Sequence, residues 1–323
     1  AIAAVPEGLP AIVTISLALG MREMVRRHAL IRRLSSVETL GSTTVICSDK
    51  TGTLTQNAMT VTRVWVDGRM YEISGAGFST EGEFRLDGQK IDPQSHPALL
   101  TALWVGTLNN DAVLEHIEGS NGNTNYRIIG DPTEGALLIA AAKAGALPEE
   151  LNRAYPRSQE IPFDSDRKRM ITIHQMHDPR RDDLSPFDES TDRQQYIIQV
   201  KGAPDVVLDL CCSIQGSDDR PRPLDDETRR QILAANDEMT RQALRVLGVA
   251  YRVVSVLPEE INAPELEKDL VFAGLIGMID PARKEVRPAL EKAQRAGVRT
   301  IMITGDYPNT ARAIAETIGM LKH

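Results

Sequence analysis

The chain has 323 residues, of which 41% are hydrophobic and 25% charged, so it can form about two packed domains and is not disordered throughout. Its formal net charge of -8 argues against a nucleic-acid binder, which usually carries a basic field. A phosphate site remains possible, because local donors hold phosphates. The chain has three cysteines, Cys47, Cys211 and Cys212. An odd number of cysteines predicts no disulfide framework, which fits a reducing compartment.

The first segment, residues 1–27, is apolar and then basic. From Ala1 to Met21 its one charged residue is Glu7, and five arginines follow between positions 22 and 33. An apolar run followed by basic residues is typical of a membrane helix that ends on the cytoplasmic side. We therefore predict that residues 1–27 are the end of a transmembrane helix in a fragment of a longer protein. The alternative is a buried core helix.

Within this segment, the motif PEGLP at residues 6–10 interrupts the helix. Its prolines and glycine free backbone carbonyls, which need a partner such as an ion inside a bilayer. Glu7 is a carboxylate at membrane depth, which predicts a functional site. With the carbonyls of Ile2, Ala4 and Val5 it would offer hard oxygen ligands suited to Ca²⁺. The alternative is an interfacial kink at which Glu7 faces water.

Three apolar runs predict strands of a buried parallel sheet, and helical patterns surround the last of them. The predicted strands are Thr43–Ser48, Val271–Ile279 and Val298–Ile303, and the helices are Pro288–Ala296 and Pro308–Ile318. This alternation predicts a doubly wound α/β domain. Ligands bind at the carboxyl ends of such strands. The polar residues there should converge, namely Asp49, Asp280, Thr304 and Asp306.

The stretch between these runs predicts an inserted α+β domain. Its predicted strands are Val61–Val66, Met170–Gln175 and Gln195–Val200, and its helices are Pro132–Ala146 and Asp226–Val249. A flexible turn is predicted at Gly119–Asn125 and a charged loop at His177–Arg193. The predicted domains are residues 28–58 and 280–323 for the α/β unit, and residues 59–279 for the insert.

Asp49 begins the most specific motif, DKTGTLT. An aspartate at the tip of a buried strand is held in the open and can act as a nucleophile. Gly52 frees the following turn, so that backbone N–H groups and the hydroxyls of Thr51 and Thr53 can surround a phosphoryl group. Lys50 adds a cation. The alternative is an ordinary threonine-rich turn after a strand. A match at all seven positions of DKTGTLT argues against it, because such a match rarely arises by chance.

DKTGTLT resembles the phosphorylation motif of the P-type ATPases, and the resemblance runs the length of the chain. It implies an incomplete haloacid dehalogenase-like phosphorylation domain with a large inserted nucleotide-binding domain. It also implies that Asp49 takes a phosphate from ATP, with Mg²⁺ bound by Asp49 and the backbone carbonyl of Thr51. Related phosphatases have an acid two residues after the nucleophile. Thr51 at that position resembles the pumps and implies a longer-lived phosphoenzyme.

Thr304, Gly305 and Asp306 form the sequence TGD, which resembles the family's second phosphate-contact motif. The resemblance implies that Thr304 hydrogen-bonds the transferred phosphate. The alternative is a helix N-cap made by Asp306.

The sequence DPAR resembles the family's hinge motif DPPR, which contacts the nucleotide where the two domains join. Asp280 and Arg283 are retained, and Ala282 stands where the family has a second proline. The alternative for Arg283 is a solvated surface cation.

The insert resembles the family's nucleotide-binding domain. KGAPD begins with Lys201 and Gly202 and resembles KGAPE at the adenosine pocket, where glycine allows a close backbone approach. The alternative is an exposed turn after a strand. Phe163, in PFDSDRK, corresponds to a phenylalanine that stacks on adenine. The alternative is a core phenylalanine.

Two further residues correspond to nucleotide contacts in the family. Glu134, in GDPTE, would lie near the base. Asp131, Pro132 and Glu134 also form a variant of the capping box, and both roles can hold at once. Arg245, in ALRVL, would reach the phosphates; the alternative is a cation on a helix surface.

PEGLP resembles the ion site of type II pumps, and commonly that of calcium pumps. We therefore predict ATP-driven cation transport, with Ca²⁺ as the ion and this region cytoplasmic in a membrane protein. The expected partners are ATP, membrane lipid, the actuator domain and the other transmembrane helices. The family's later Gly-Asp-Gly-x-Asn-Asp segment is not in this sequence, so we expect ATP binding without pumping. The alternatives are a soluble dehalogenase-fold phosphatase or phosphomutase, and a non-catalytic nucleotide-binding module.

Overall fold

A computed structural model of the chain describes residues 8–75, 77, 79–118, 124–176, 195–305 and 308–321. The predictions for Glu7 with its neighbouring carbonyls, for Asp306, for most of the turn Gly119–Asn125 and for the loop His177–Arg193 lie outside these residues. The helices are α1 (Leu9–Arg26), α2 (Ser35–Gly41), α3 (Pro97–Leu108), α4 (Pro132–Lys143), α5 (Pro148–Ala154), α6 (Pro204–Asp209), α7 (Asp226–Arg241), α8 (Ala263–Leu266), α9 (Val286–Arg295) and α10 (Pro308–Thr317). The strands are β1 (Val45–Asp49), β2 (Thr60–Val66), β3 (Arg69–Ile73), β4 (Phe84–Leu86), β5 (Gln89–Ile91), β6 (Val113–Glu118), β7 (Thr124–Ile129), β8 (Arg157–Asp164), β9 (Arg169–Met176), β10 (Gln195–Gly202), β11 (Cys211–Gln215), β12 (Pro221–Pro223), β13 (Arg245–Val254), β14 (Leu270–Ile279) and β15 (Arg299–Ile303).

A large, mainly antiparallel sheet organises the middle of the chain. Among the described residues it has eleven strands, on the path β5–β4–β3–β2–β14–β13–β10–β9–β8, with β11 beside β14 and β12 beside β11. Helices α3 and α4 cover one face, where Trp104 and Leu137 belong to one buried cluster. Helices α6 and α7 cover the other, where Val207 and Ile232 belong to a second cluster. The predicted strands in β2, β9 and β10 and the predicted helix in α4 are confirmed, and α4 ends three residues earlier than expected.

The placement of Val271–Ile279 in a parallel sheet is wrong. This segment forms β14, which pairs antiparallel with β13 and β2 inside the large sheet and is parallel to β11 only near its start. Because β14 is buried on both faces, its continuous apolar run carries no alternation that would distinguish the two kinds of sheet.

The predicted helix Asp226–Val249 is too long. Helix α7 ends at Arg241, and β13 begins at Arg245. Between them Ala243 has a φ of 61°, which ends the helical backbone. The β-branched and aromatic residues that follow favour a strand.

A smaller unit is built from both ends of the chain around β1 and β15. These two strands pair in parallel, with Asp49 opposite Ile303. Leu54 packs in a small core with Val286, Leu290 and Ile318. The predicted elements of this unit agree with β1, β15, α9 and α10 to within two residues at each end. The prediction that β1 and β15 are buried is wrong, because Val45, Ile46, Ile301 and Ile303 are each more than a third exposed.

Helix α1 is exposed along its length, with no buried residue. Its apolar side chains include Leu9, Ile12, Ile15 and Leu19, each more than half exposed. No helix within the described ranges is both long and apolar enough to cross a membrane.

Candidate functional site

Asp49 lies at the carboxyl end of β1, and its side chain is exposed. The parallel partner strand β15 places Ile303 directly opposite Asp49. Thr304 and Gly305 follow Ile303 at the same sheet edge. The strand register therefore places Asp49 and Thr304 at the same edge of the two-stranded sheet.

The turn after Asp49, residues Lys50–Leu54, has an irregular backbone. Thr51 is extended, whereas Gly52 has a φ of 74°, in the left-handed region that favours glycine. Leu54 is buried and anchors the turn in the small core. Thr51 and Thr53 are exposed, so their hydroxyls are accessible beside Asp49.

The oxygens at this edge suit Mg²⁺. The Asp49 carboxylate and the Thr51 carbonyl are hard donors, and Mg²⁺ commonly combines one or two carboxylates with phosphate oxygens and water. Within the described ranges, no group of three or more His, Cys, Asp or Glu side chains is placed to hold a metal.

Asp280 accepts hydrogen bonds from the segment that directly follows the turn Lys50–Leu54. The hydroxyl of Thr55 donates to Asp280 Oδ2 at 2.5 Å, and the backbone N–H of Ala58 donates to Oδ1 at 3.2 Å. Arg283 donates to the carbonyls of Thr55 and Gly52, each at 3.0 Å. Asp280 and Arg283 thus fasten the junction between the two units. Thr55 is fully buried and is the partner that no motif assignment identified, although it is the last residue of DKTGTLT.

Phe163 is exposed at a bulge near the end of β8. There, Pro162 and Phe163 together face Met170 of β9. Phe163 is 63% exposed, so the alternative of a core phenylalanine is wrong. Met170 in turn pairs with Lys201 of β10. Because neighbouring strands are about 4.8 Å apart, the backbones of Phe163 and Lys201 are separated by roughly 10 Å.

Lys201, which is buried, forms an ion pair with the partly buried Glu134. Lys201 Nζ donates to Glu134 Oε1 at 2.8 Å, and the backbone N–H of Asp111 donates to Oε2 at 3.1 Å. Burial lowers the pKa of Lys201, and the charge of Glu134 opposes this effect. Lys201 and Gly202 are both buried within β10, so the alternative of an exposed turn is wrong.

Arg245 lies close enough to Asp131, the N-cap of α4, for its charge to act on that carboxylate, and Glu134 lies in the first turn of the same helix. Asp131 caps this helix by accepting the backbone N–H of Thr133 at 2.7 Å. Burial alone would raise the pKa of Asp131. Hydrogen bonds from Thr133 and the nearby charge of Arg245 outweigh burial and lower it. Arg245 begins β13, so the alternative of a cation on a helix surface is wrong.

Two charged residues beside this end of the sheet were not found from sequence. Arg157 bonds Asp111 at 2.7 Å, next to the Glu134 contact. Glu267 receives hydrogen bonds from Arg167 and Arg169, which are 100 and 98 residues away. A local motif cannot reveal partners so distant in sequence.

Comparisons with known proteins show the family of the chain. Residues 98–285 match the family model described as P-type ATPase, cytoplasmic domain N. The chain is 42% identical over 321 residues to a calcium-transporting ATPase of Bacillus subtilis (strain 168), which covers 99% of this chain and 34% of that protein. It is 41% identical over 325 residues to the cation-transporting ATPase pma1 of Synechocystis, which covers 99% of this chain and 33% of that protein.

A third relative is the probable cation-transporting ATPase F of Mycobacterium bovis, which is 39% identical over 322 residues, 99% of this chain and 33% of that protein. The chain therefore spans about a third of the length of these relatives. On the evidence of these matches, the chain belongs to the P-type ATPase family.

Proposed function

We propose that this chain is the nucleotide-binding and phosphoryl-accepting region of an ATP-driven cation pump. The observation that carries the proposal is the β1–β15 register, which pairs Asp49 with Ile303, the residue before Thr304, at an exposed sheet edge. In the proposed step, a carboxylate oxygen of Asp49 forms a bond to the γ-phosphorus of ATP. The bond from that phosphorus to the β–γ bridging oxygen breaks, and ADP leaves.

The residues around Asp49 stabilise the transferred phosphoryl group in this proposal. Lys50 contributes positive charge, and the hydroxyls of Thr51, Thr53 and Thr304 donate hydrogen bonds. Mg²⁺, held by Asp49 and the Thr51 carbonyl, would neutralise phosphate charge. Position 51 carries no acid that could activate water, which favours a pump over a phosphatase.

The nucleotide end binds the adenosine part of ATP. Phe163 stacks on adenine, Lys201 with Gly202 and Glu134 lines the base site, and Arg245 reaches the phosphates. The exposed ring of Phe163 and the Lys201–Glu134 ion pair support these roles. In domain terms, we propose residues 59–279 as the nucleotide-binding domain.

Residues 28–58 and 280–323 form the second proposed domain, a haloacid dehalogenase-like phosphorylation domain with TGD as its second phosphate motif. Asp280 and Arg283 hold the junction between the two domains.

The transported ion in this proposal is Ca²⁺, and Glu7 of PEGLP is one of its ligands. The calcium-transporting relative from Bacillus subtilis and the PEGLP motif support this choice. Residues 1–27 would end a transmembrane helix in contact with lipid, and the region described would face the cytoplasm. The actuator domain and the other transmembrane helices of the pump would be its partners.

Phosphoenzyme formation tests the proposal most directly. The whole pump that contains this chain is expressed in membranes and given γ-labelled ATP at varied free Ca²⁺. We expect an acid-stable label that requires Ca²⁺ and disappears in Asp49→Asn, because the amide cannot attack phosphorus. Asp87→Asn, in an exposed hairpin turn with a φ of 51°, is the matched control and should keep the label.

Two results would contradict parts of the proposal. A label that persists in Asp49→Asn would place the phosphate on another residue. A label that ignores Ca²⁺ and responds to Na⁺, K⁺ or Mn²⁺ would keep the mechanism and overturn the choice of ion.

A further inference from the structure

The turn that follows Phe163 is closed by its own hydrogen bonds. We call residues 164–168, from the last residue of β8 to the residue before β9, the phenylalanine turn. Asp164 Oδ1 accepts the backbone N–H groups of Asp166 and Arg167, each at 2.9 Å. The carbonyl of Asp164 accepts the N–H of Lys168 at 2.6 Å. These bonds define the shape of the turn, but they do not attach it to the rest of the domain.

Glu267 attaches one side of the phenylalanine turn. Arg169 donates from Nε to Oε1 and from Nη2 to Oε2, each at 2.7 Å, and Arg167 adds a bond to Oε1 at 2.8 Å. Glu267 is 8% exposed. Burial alone would raise the pKa of Glu267, but the hydrogen bonds from Arg169 and Arg167 outweigh it and lower the pKa. The carboxylate therefore stays charged and engages both arginines.

The end of strand β10 contacts the side of the phenylalanine turn opposite Glu267. The N–H of Ala203 donates to the carbonyl of Lys168 at 3.0 Å. A Cβ atom at Gly202 would lie 2.4 Å from the same carbonyl oxygen. The phenylalanine turn is therefore fixed between the end of β10 and the carboxylate of Glu267.

We propose that Glu267 is a positioning residue for ATP binding. By holding Arg167 and Arg169, it fixes the phenylalanine turn and with it the orientation in which Phe163 presents its ring. This inference rests on the proposed role of Phe163 as the adenine platform. A ring that is already fixed loses less conformational entropy when a base stacks on it. The restraint of Phe163 therefore strengthens ATP binding.

Glu267 lies in the segment that connects α8 to β14. It directly follows α8 and lies just before β14, whose far end leads to Asp280 at the junction. Glu267 belongs to none of the nucleotide motifs, and its contribution to ATP binding would be indirect, through the turn.

A double-mutant cycle on the 323-residue chain, with ATP as the probe in calorimetric titrations, tests the proposal. We expect Phe163→Ala to weaken ATP binding roughly tenfold, the order of one base–aromatic stack. We expect Glu267→Gln to weaken it at least about threefold when Phe163 is present, and by less than about twofold in the Phe163→Ala background. Glu265→Gln is the matched control, because Glu265 pairs with Lys268 on the exposed side of the same segment. This control should bind ATP as the parent chain does.

The outcomes separate the two proposals. If Phe163→Ala leaves ATP affinity unchanged, the proposed base platform is wrong. If Phe163→Ala weakens binding but Glu267→Gln causes the same loss with and without Phe163, the platform stands and the positioning role is overturned. Unchanged or tighter binding in Glu267→Gln alone also overturns it. Tighter binding is the result expected if the released arginines reached the phosphates.

A second variant keeps the test valid if Glu267→Gln does not fold, since removing one partner of a buried charge cluster is destabilising. Glu267→Asp retains the charge but is one methylene shorter, so it cannot reach both arginines in the same way. We expect a smaller loss of ATP affinity that again depends on Phe163. Equal losses in both backgrounds would overturn the proposal.

Discussion

Lys201 is a buried lysine whose charge is balanced by one carboxylate. It is 6% exposed, and Glu134 is its ion-pair partner at 2.8 Å. The second oxygen of Glu134 accepts the backbone N–H of Asp111, so the carboxylate is held at both ends. A carboxylate has about four lone-pair sites, which leaves Glu134 able to accept a further bond from an adenine amino group. Its capping position and its proposed base contact are therefore compatible.

His174 predicts a pH dependence of stability. It is fully buried in β9, and its Nδ1 donates to the carbonyl of Tyr155 at 2.8 Å. Burial lowers the pKa of His174 from 6.5 to about 4. The unfolded chain therefore binds a proton that the folded chain refuses between about pH 6.5 and pH 4. Stability is lost as the pH falls through this window, by at most about 3 kcal/mol.

The replacement His174→Asn isolates this effect, because asparagine keeps a donor for Tyr155 but does not titrate. Urea unfolding at pH 7 and pH 5 should show that the parent chain loses about 2 kcal/mol more than the variant between the two pH values. Gln175→Asn, on the opposite face of β9, should follow the parent. A parent and His174→Asn variant with the same pH dependence would contradict a buried neutral imidazole.

Gly202 shows how one element depends on a residue without a side chain. A Cβ atom there would lie 2.4 Å from the carbonyl oxygen of Lys168 and 2.6 Å from Cβ of Arg169. Backbone atoms cannot rotate away, so β9 and β10 would have to separate. We expect Gly202→Ala to lower the free energy of unfolding by about 2 kcal/mol, the usual cost of overpacking.

Urea unfolding of the 323-residue chain measures this cost. Gly248 is the matched control, because it pairs directly with Gly202 across β10 and β13, while its added Cβ would meet atoms no closer than 3.1 Å. Gly248→Ala should therefore cost less. Equal losses from the two alanines would mean that the close approach of Lys168 is not what requires glycine.

Local pattern was sufficient for elements whose periodicity is unambiguous. Strands β2, β9 and β10 and helix α4 follow from apolar runs and end signals such as Asp131 before Pro132. It failed at β14, because a strand buried on both faces looks the same in parallel and antiparallel sheets. It also failed after Arg241, where the pattern of α7 continues without interruption into the residues of β13.

The residues of the candidate site also differ in whether a local motif can reveal them. The motifs select candidate residues that are neighbours in sequence, such as Asp49 and the turn that follows it, and the roles of these residues are proposals. They did not identify Glu267, whose role depends on arginines about a hundred residues away. They also gave no reason for the burial of Thr55, which follows from its bond to Asp280 across the junction.

At the scale of the whole molecule, the chain passes between its two units twice, at residues 55–58 and 280–283. Besides the Asp280 and Arg283 side-chain bonds, the N–H of Gln56 donates to the carbonyl of Pro281, and the N–H of Arg283 donates to the carbonyl of Leu54, each at 3.0 Å. The two crossings are thus bonded to one another. The proposed nucleotide end lies on one side of them and Asp49 on the other, so we expect the junction to determine how bound ATP is presented to Asp49.

Thr55→Val tests this role of the junction. Valine keeps the volume of threonine but removes the hydroxyl that donates to Asp280 Oδ2, and it leaves that oxygen without this partner. We expect faster hydrogen exchange at the N–H groups of Ala58 and Arg283, because the bonds that protect them open more often. Phosphoenzyme formation in the whole pump should slow by roughly tenfold, since a small misplacement of reacting groups is costly. The affinity for ATP should not change, because the residues proposed to bind adenosine lie within the insert.

Thr62→Val, a partly buried position on β2 away from the crossings, is the matched control and should leave all three quantities as in the parent. A Thr55→Val pump with weaker ATP binding and an unchanged rate of phosphorylation at saturating ATP would mean that the junction serves nucleotide binding and does not align it with Asp49.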